Sequence, residues 1–399
     1  VELPILVQLF LLFAAAKLAG EVFERLGQPA VIGELLVGMV LGAGVLGVVD
    51  VAEEPFLREF AELCVVILLF RVGLETRLSD IRAVGRTAAL VAVVGVVIPF
   101  GLGYGYYVAI GRESITALFL GAALVATSVG VTARVLADLR LLGERESRII
   151  LGAAVIDDIL GLIVLSIVAG GGGEGGIDLV QVGVTVALST AFLVVFGLFG
   201  TRAVARGGHL FERPRLPNAP FALAALTCLG VAALAQVIGL AAIVGAFLAG
   251  MVMAETPDHY ELEEKFEPLG EFLVPFFFVI TGATVDPTQF FGGGTLVVVL
   301  VVVALAAVGK LVGCGLAAAG LGWRSAVIVG VGMVPRGEVG IIVANAGEKA
   351  GAVDAETFAV IVAMSILTTL IVPPVLKVLF ADRLAGRRAG RGGSPVPAD

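Results

Sequence analysis

Apolar residues run in long unbroken stretches along this chain, and polar residues collect in the short gaps between them. Thirteen stretches can be marked, near 3–24, 30–49, 57–75, 86–108, 115–137, 147–169, 178–202, 220–237, 239–254, 267–283, 295–319, 324–347 and 357–380. Each is close to the roughly 17–25 residues that a helix needs to cross a hydrocarbon core of about 30 Å. The short segments of strict alternation that build a membrane β-barrel are not the pattern here. The pattern predicts an all-α integral membrane protein with thirteen transmembrane helices.

Composition agrees: 59% of the 399 residues are hydrophobic, 15% are charged and the mean hydropathy is +1.06, outside the soluble globular range. The first span ends on EVFERLG without a small-residue cleavage site, so it reads as a permanent helix rather than a signal peptide. The chain opens on Val1, and a short native start is expected before it.

Basic residues set the orientation, because cytoplasmic loops retain Lys and Arg. Taking the loops alternately, 21 of the 26 basic residues fall on one side, among them Lys17, Arg25, Arg71, Arg134, Arg140, Arg324, Lys377 and Arg383. Arg58, Arg112 and Lys349 fall on the other, and Lys310 and Arg336 lie within spans. Thirteen spans then put the N-terminus outside and the C-terminus in the cytoplasm, in a multi-pass protein of the cell inner membrane. Displacing one span would scramble the asymmetry.

Other chemistries find little support. Cys64, Cys228 and Cys314 lie in apolar spans without metal-ligand spacing and read as small buried hydrophobes. His209 and His259 lie in loops and form no cluster. The GGGGEGG of residues 170–176 follows a span and not a strand, so it reads as a flexible outer turn and not a phosphate cradle. Net charge is −8 and no basic, aromatic-interleaved patch appears, which argues against nucleic acid. Residues 381–399 are basic and then Gly/Pro-rich, and are expected to be a disordered cytoplasmic tail. No catalytic triad or nucleotide fingerprint is present, so neither an enzyme nor a cofactor is expected.

If span 7 (178–202) is a linker, spans 1–6 and 8–13 enter the membrane from opposite faces and form two inverted six-helix repeats. Matching spans share an irregularity. Span 5 reads ALFLGAALVATSVGVTARV, with Thr127, Ser128 and Thr132 around Gly130; span 12 reads AVIVGVGMVPRGEVGIIVA, with Pro335, Gly337 and Gly340 around Arg336 and Glu338. Proline removes a backbone donor and glycine weakens a helix, so both spans are expected to unwind in mid-membrane. Unwound backbone at that depth is tolerated only against protein or a watery cavity, and paired broken helices in inverted halves point to a transporter's binding site. The plainer alternative is a Pro/Gly kink in each.

Five ionisable residues fall deep in the spans: Asp157 and Asp158 in AAVIDDILGLIVL, Lys310 in AAVGKLVGCG, and Arg336 with Glu338. An intramembrane charge is a functional residue by default. Neighbours on a helix point about 100° apart, so one aspartate can pair while the other faces a cavity. A Lys310–Asp157 pair would be breakable by protonation, and the remaining carboxylate, with Thr127, Ser128 and unwound carbonyls, would make an all-oxygen site for a small hard cation. The alternative for the acids, a structural ion pair with Lys310 or Arg336, explains one and not both. Arg336 and Glu338 are read as bracing the crossing by neutralising helix ends. Glu34, Arg71, Glu75 and Arg134 sit at or near span ends, where snorkelling explains them.

The segments VIGELLVGMVLG (32–43), LFRVGLETRL (69–78), LVATSVGVTARVL (124–136), ILGAAVIDDILGLIVL (150–165), IVGAFLAGM (243–251) and VGMVPRGEVGIIVA (331–344) together resemble the NapA-type sodium/proton antiporters of the monovalent cation:proton antiporter superfamily. The resemblance runs from about residue 5 to about 380, and the Asp-Asp pair with an in-membrane lysine is its specific part. It implies an NhaA-like fold in a homodimer. Residues 3–75 and 220–283 would form the dimerisation domain, and residues 86–169 and 295–380 the ion-translocating core with crossed discontinuous helices. It further implies that Asp158 carries the ion and the proton, and that Asp157 pairs with Lys310. Potassium-efflux relatives usually replace the first acid with a neutral residue and add nucleotide-binding domains; neither feature is seen.

The expected function is export of sodium or lithium in exchange for protons, electrogenic, by alternating access, with membrane lipid and a second copy as partners and no cofactor beyond the transported ions. A potassium/proton antiporter of the same fold is the first alternative. A non-transporting sensor or scaffold is a second, but the inner loops are too short for a sensing domain. A channel would show steady flux uncoupled from pH.

Overall fold

The computed structural model describes residues 3–51, 53–76, 78–171, 179–200, 218–254, 261–288, 295–381 and 383. His209, His259, most of the 170–176 glycine loop and all but two residues of the 381–399 tail lie outside the described residues, as does the Glu338 side chain. The described residues fold into helices. The first four are α1 (Ile5–Arg25), α2 (Ala30–Leu41), α3 (Pro55–Leu74) and α4 (Leu78–Ala109). Then follow α5 (Ser114–Val125), α6 (Val129–Asp138), α7 (Arg145–Gly171) and α8 (Leu179–Val195), which runs into a π-helical turn at Phe196–Gly200. The second half has α9 (Ala219–Val237), α10 (Ala242–Met253), α11 (Leu262–Ala283), α12 (Thr295–Ala317), α13 (Trp323–Gly332), α14 (Gly337–Lys349) and α15 (Ala355–Leu379).

Proline marks several starts, where its missing N–H costs nothing: Pro4 and Pro29 precede α1 and α2, and Pro55 opens α3. Asp354 caps α15 by accepting from the Thr357 N–H at 2.8 Å. Internal prolines in α4, α11 and α15 sit in well-packed helices, as membrane helices tolerate.

By length and composition alone, seven described stretches qualify as membrane spans, including Ser114–Asp138, which runs through the α5–α6 break. The other six expected spans miss those criteria for visible reasons. Helices α2 and α10 have 12 residues each, α8 has 17, and α13 and α14 are halves of a broken element. Helices α3 and α7 are long enough but carry internal charges. Large apolar side chains cover the outside, among them Leu6, Phe10, Leu226, Val237 and Leu300, an exterior suited to lipid and not to water.

Two packed groups stand out. In the first, α2 and α3 lie against α11, α3 lies against α10, and α1 and α9 flank α2 and α10. Two of these crossings are glycine to glycine: Gly38 meets Gly282 where α2 crosses α11, and Gly73 meets Gly250 where α3 crosses α10. A Cβ at any of the four would enter the opposing backbone, so glycine is required by close approach. In the second group α4 packs on α5, α7 and α12, and α12 packs on α13 and α15. One continuous apolar core joins the first group to the arginine-rich half of the second, through residues such as Val135, Leu136, Ile149, Leu151 and Leu376. A separate core, around Phe119, Leu120, Val302, Val360 and Met364, fills the other half of the second group.

Ion pairs clasp the second group at both ends. On the arginine-poor side Arg112 binds Asp354 at 3.2 Å and Glu356 at 2.5 Å. On the arginine-rich side Arg383 reaches Glu144 and Glu146, each at 2.6 Å, and Ser325 donates to Glu146 at 2.6 Å, which ties the starts of α7 and α13 to the end of α15. Burial pushes the Glu146 carboxyl up, but the hydrogen bonds from Arg383 and Ser325 outweigh it and hold the group below its ordinary range.

Candidate functional site

The site forms where two chain breaks meet. Helix α5 stops at Val125 and α6 starts at Val129; α13 stops at Gly332 and α14 starts at Gly337. Small polar residues at Thr127 and Ser128 compete with helical hydrogen bonding, and Pro335 supplies no N–H. The breaks then satisfy each other. The Ser128 N–H donates to the Pro335 carbonyl at 2.8 Å, and the Thr132 hydroxyl donates to the Gly332 carbonyl at 2.8 Å. Thr127 makes a longer contact, 3.4 Å, to the Met333 carbonyl. Gly337 has a φ of +44°, a conformation open to glycine, and a Cβ there would press on the Ser128 Oγ.

Arg336 is fully buried and spends its guanidinium on carbonyls: Met333 at 3.1 Å, Val334 at 2.8 Å and Ala306 of α12 at 3.1 Å. The first two lie just past the C-terminal end of α13, where the helix dipole is negative. Its positive charge therefore lies where a broken helix leaves carbonyls unpaired. The backbone of Glu338 is in the first turn of α14; its side chain is outside the described residues.

The two aspartates separate as the helical turn requires. Asp157 is 1% exposed and accepts from the Lys310 Nζ at 2.9 Å; Lys310 itself is 0% exposed. Its other oxygen, Oδ2, has no hydrogen-bond partner among the described residues. Gly95 of α4 makes room for the pair, since a Cβ there would strike Cys314 Sγ and come within 3.5 Å of the Lys310 Nζ. Asp158 is only half-buried. It lines a cleft with Val129 of α6 and Val155 of α7 on one wall, and Leu69 of α3 with Ile243 and Phe247 of α10 on the other. The cleft thus lies between the two helix groups, and Val129 on its wall follows directly on Ser128.

Some of the surroundings were not foreseen from sequence. The Gly337 N–H donates to the Thr369 hydroxyl at 3.2 Å, Thr369 donates to the Ser365 carbonyl at 2.7 Å, and Gly340 leaves space for the Ser365 Oγ. The signal was present as SILTT, hydroxyls inside an otherwise apolar span. Glu34 also departs from expectation. Snorkelling was expected for it, but it is 2% exposed and its Oε2 has no hydrogen-bond partner among the described residues. The cause is its place on α2, whose short length and close packing on α1 and α11 put residues 30–35 inside the protein. Cys64, Cys228 and Cys314 are buried and unpaired, as small hydrophobes would be. Among the described residues, no three His, Cys, Asp or Glu side chains cluster as metal ligands.

The sequence family described as "Sodium/hydrogen exchanger, transmembrane" matches residues 9–381. The chain belongs to this family. As an exchanger it has close curated relatives. It is 37% identical to the high-affinity Na⁺/H⁺ antiporter NhaS3 of Synechocystis, over 94% of this chain and 90% of that protein. It is 36% identical to the Na⁺/H⁺-K⁺ antiporter GerN of Bacillus cereus, over 98% and 100%. Among solved structures the exchanger fold resembles that of the sodium proton antiporter MjNhaP1 of Methanocaldococcus jannaschii, with a TM-score of 0.71, 19% identity and 100% of both chains covered. That likeness concerns the fold.

Proposed function

We propose that this exchanger is a secondary active antiporter that moves sodium or lithium outward and protons inward across the cell inner membrane. The observation that carries the reading is the separation of the two aspartates: Asp157 is locked to Lys310, and Asp158 faces the cleft between the helix groups beside the crossed breaks. A carboxylate in such a cleft binds either a cation or a proton, and the competition couples the two fluxes. Asp158 is the shared carrier, with Thr127, Ser128 and the carbonyls freed at the breaks supplying further oxygens for a hard monovalent cation. Thr132, Pro335, Arg336 and Glu338 brace the crossing. The antiporter names of the relatives point the same way.

The first group is the dimerisation domain and the second the core that moves against it. The packing supports an inverted repeat: exchanging each span with the one seven later turns the α2–α11 crossing into the α10–α3 crossing, and both are sealed by glycine pairs. The apolar faces left outside by α1 and α9 suit a homodimer contact in lipid. If one proton rides on Asp158 and a second on the Asp157–Lys310 pair, two protons enter per sodium. Each cycle then moves one net charge inward, and a negative-inside potential contributes about 2.3 kcal/mol per 100 mV.

Potassium is the second cation to weigh, since the GerN relative carries it in its name. The experiment is proton flux in proteoliposomes against sodium, lithium and potassium series, at zero and at negative-inside potential. Flux driven by sodium or lithium and accelerated by the potential is expected. Flux driven only by potassium would reassign the cargo, and voltage-insensitive sodium flux would remove the second proton.

A further inference from the structure

Residues 127–132 of the first break are tied to the carbonyls of Gly332, Met333 and Pro335. The start of α14 is held differently. Its first N–H, on Gly337, donates to the Thr369 hydroxyl of α15 at 3.2 Å, and Thr369 is 1% exposed. Ser365, Thr368 and Thr369 put three hydroxyls on one stretch of α15. Ser365 donates to the Ile361 carbonyl at 2.9 Å and Thr368 to the Met364 carbonyl at 2.8 Å, both within the helix. Thr369 also bonds back, to the Ser365 carbonyl at 2.7 Å, which commits its proton and leaves its lone pairs for an outside donor. Gly337 is that donor. The two helices come this close because Gly340, one turn along α14, has no Cβ to run into the Ser365 Oγ. Gly337 also touches the proposed ion site. A Cβ on Gly337 would lie 2.6 Å from the Ser128 Oγ and 3.7 Å from the Thr369 Oγ1, so one point of the backbone faces both hydroxyls.

We propose that Thr369 is a positioning residue for cation binding: by accepting the Gly337 N–H, it leaves the Ser128 oxygen to the transported cation. The inference rests on the reading that Ser128 lends an oxygen to the ion carried at Asp158. A buried backbone N–H that loses its acceptor takes another within reach. The other hydroxyl against Gly337 is that of Ser128. An oxygen that accepts from an N–H has a lone pair fewer to offer a cation, and the shift of backbone that makes the bond moves it as well. The N–H dipole, turned toward the site, also repels positive charge. Thr369 therefore acts at one remove. It governs how tightly the cation is held, and leaves the proton chemistry of Asp158 alone.

The test separates the oxygen of Thr369 from its shape. Thr369→Val keeps the shape and removes the oxygen, whereas Thr369→Ser keeps the oxygen. Proton flux is measured in proteoliposomes against the concentration of the driving cation, with the folded fraction of each variant set by gel filtration. Thr369→Val should raise KM for the cation about tenfold, the binding lost with one good oxygen contact, while kcat stays within about twofold of native. Thr369→Ser should restore the native KM. Thr368→Val, which removes a hydroxyl that bonds within α15, should also show the native KM. A merely structural role would lower the folded fraction or kcat and leave KM alone. A native KM in folded Thr369→Val overturns the proposal, as does a KM raised equally in Thr369→Ser or in Thr368→Val. Should Thr369→Val fail to fold, Thr369→Cys puts a weakly accepting thiol in the same place, and a native KM there overturns it equally. The two readings fail in different ways. Native flux with an unmoved KM in Thr369→Val removes the positioning role and leaves the antiporter, whereas native protein without flux for sodium, lithium or potassium removes the antiporter, and the positioning of its ion falls with it.

Discussion

Replacing Lys310 with methionine keeps most of its volume and deletes its charge, so it isolates the cost of leaving Asp157 alone. Both groups are at most 1% exposed, and the 2.9 Å bond from Lys310 is the hydrogen bond that holds the Asp157 carboxylate. Breaking a buried pair by removing one partner costs about 3–5 kcal/mol if the survivor stays charged. With the amine gone, the Asp157 carboxylate is left buried beside an apolar side chain, so Lys310→Met should lose about that much stability relative to the native protein. Adding Asp157→Asn removes the charge altogether and should leave a loss of about 1–2 kcal/mol from an under-satisfied amide. Cys64, Cys228 and Cys314 are all buried, so a thiol-reactive fluorophore reports unfolding directly. Lys310→Met protein as stable as the native one, or a double variant less stable than Lys310→Met, would refute the reasoning.

Gly250→Ala places a methyl group in the Phe70 carbonyl, so the α3–α10 crossing should fail and folded protein should fall severalfold in fluorescence-detected gel filtration. Arg336→Gln leaves the Met333, Val334 and Ala306 carbonyls short of donors, and a loss of about 2–4 kcal/mol in thermal stability is expected. Glu146→Gln should cost about 2 kcal/mol near neutral pH by releasing Arg383. The Glu146 carboxyl is held below its ordinary value near 4.5, so this contribution is complete above that pH and is lost as pH falls through the lower folded value. Thermal melts of both proteins should therefore differ at pH 7 and converge in stronger acid.

How far the sequence led depends on the kind of signal. The two breaks could be located because Pro335, Gly337 and the ATSVG segment act on the local backbone, and local backbone chemistry is legible in one chain. That one aspartate would pair within the membrane could be reasoned from how few charges lie in the spans; that Asp157 is the one paired with Lys310 was what the family resemblance implied. The position of Glu34 could not be reasoned. Whether a carboxylate near a span end reaches solvent depends on what packs over it, and the neighbours on α6, α11 and α15 are far away in sequence. Nor could the glycine crossings be picked out: 54 glycines look alike until the partner helix is known. Likewise Thr369 reads as an ordinary hydroxyl in an apolar helix until the Gly337 N–H is seen to need it.

The central claim is that one carboxylate, Asp158, serves both ions in turn. Asp158→Asn keeps the shape and most of the hydrogen bonding but cannot exchange a proton. The decisive measurement is sodium-driven proton flux in proteoliposomes, with a gel-filtration profile and melting curve confirming that the variant is folded. A flux at the level of empty liposomes, across the pH range in which the native protein works, is the predicted result. Sodium-driven flux within a few-fold of the native rate in folded Asp158→Asn protein would contradict the account and move the carrier to another group.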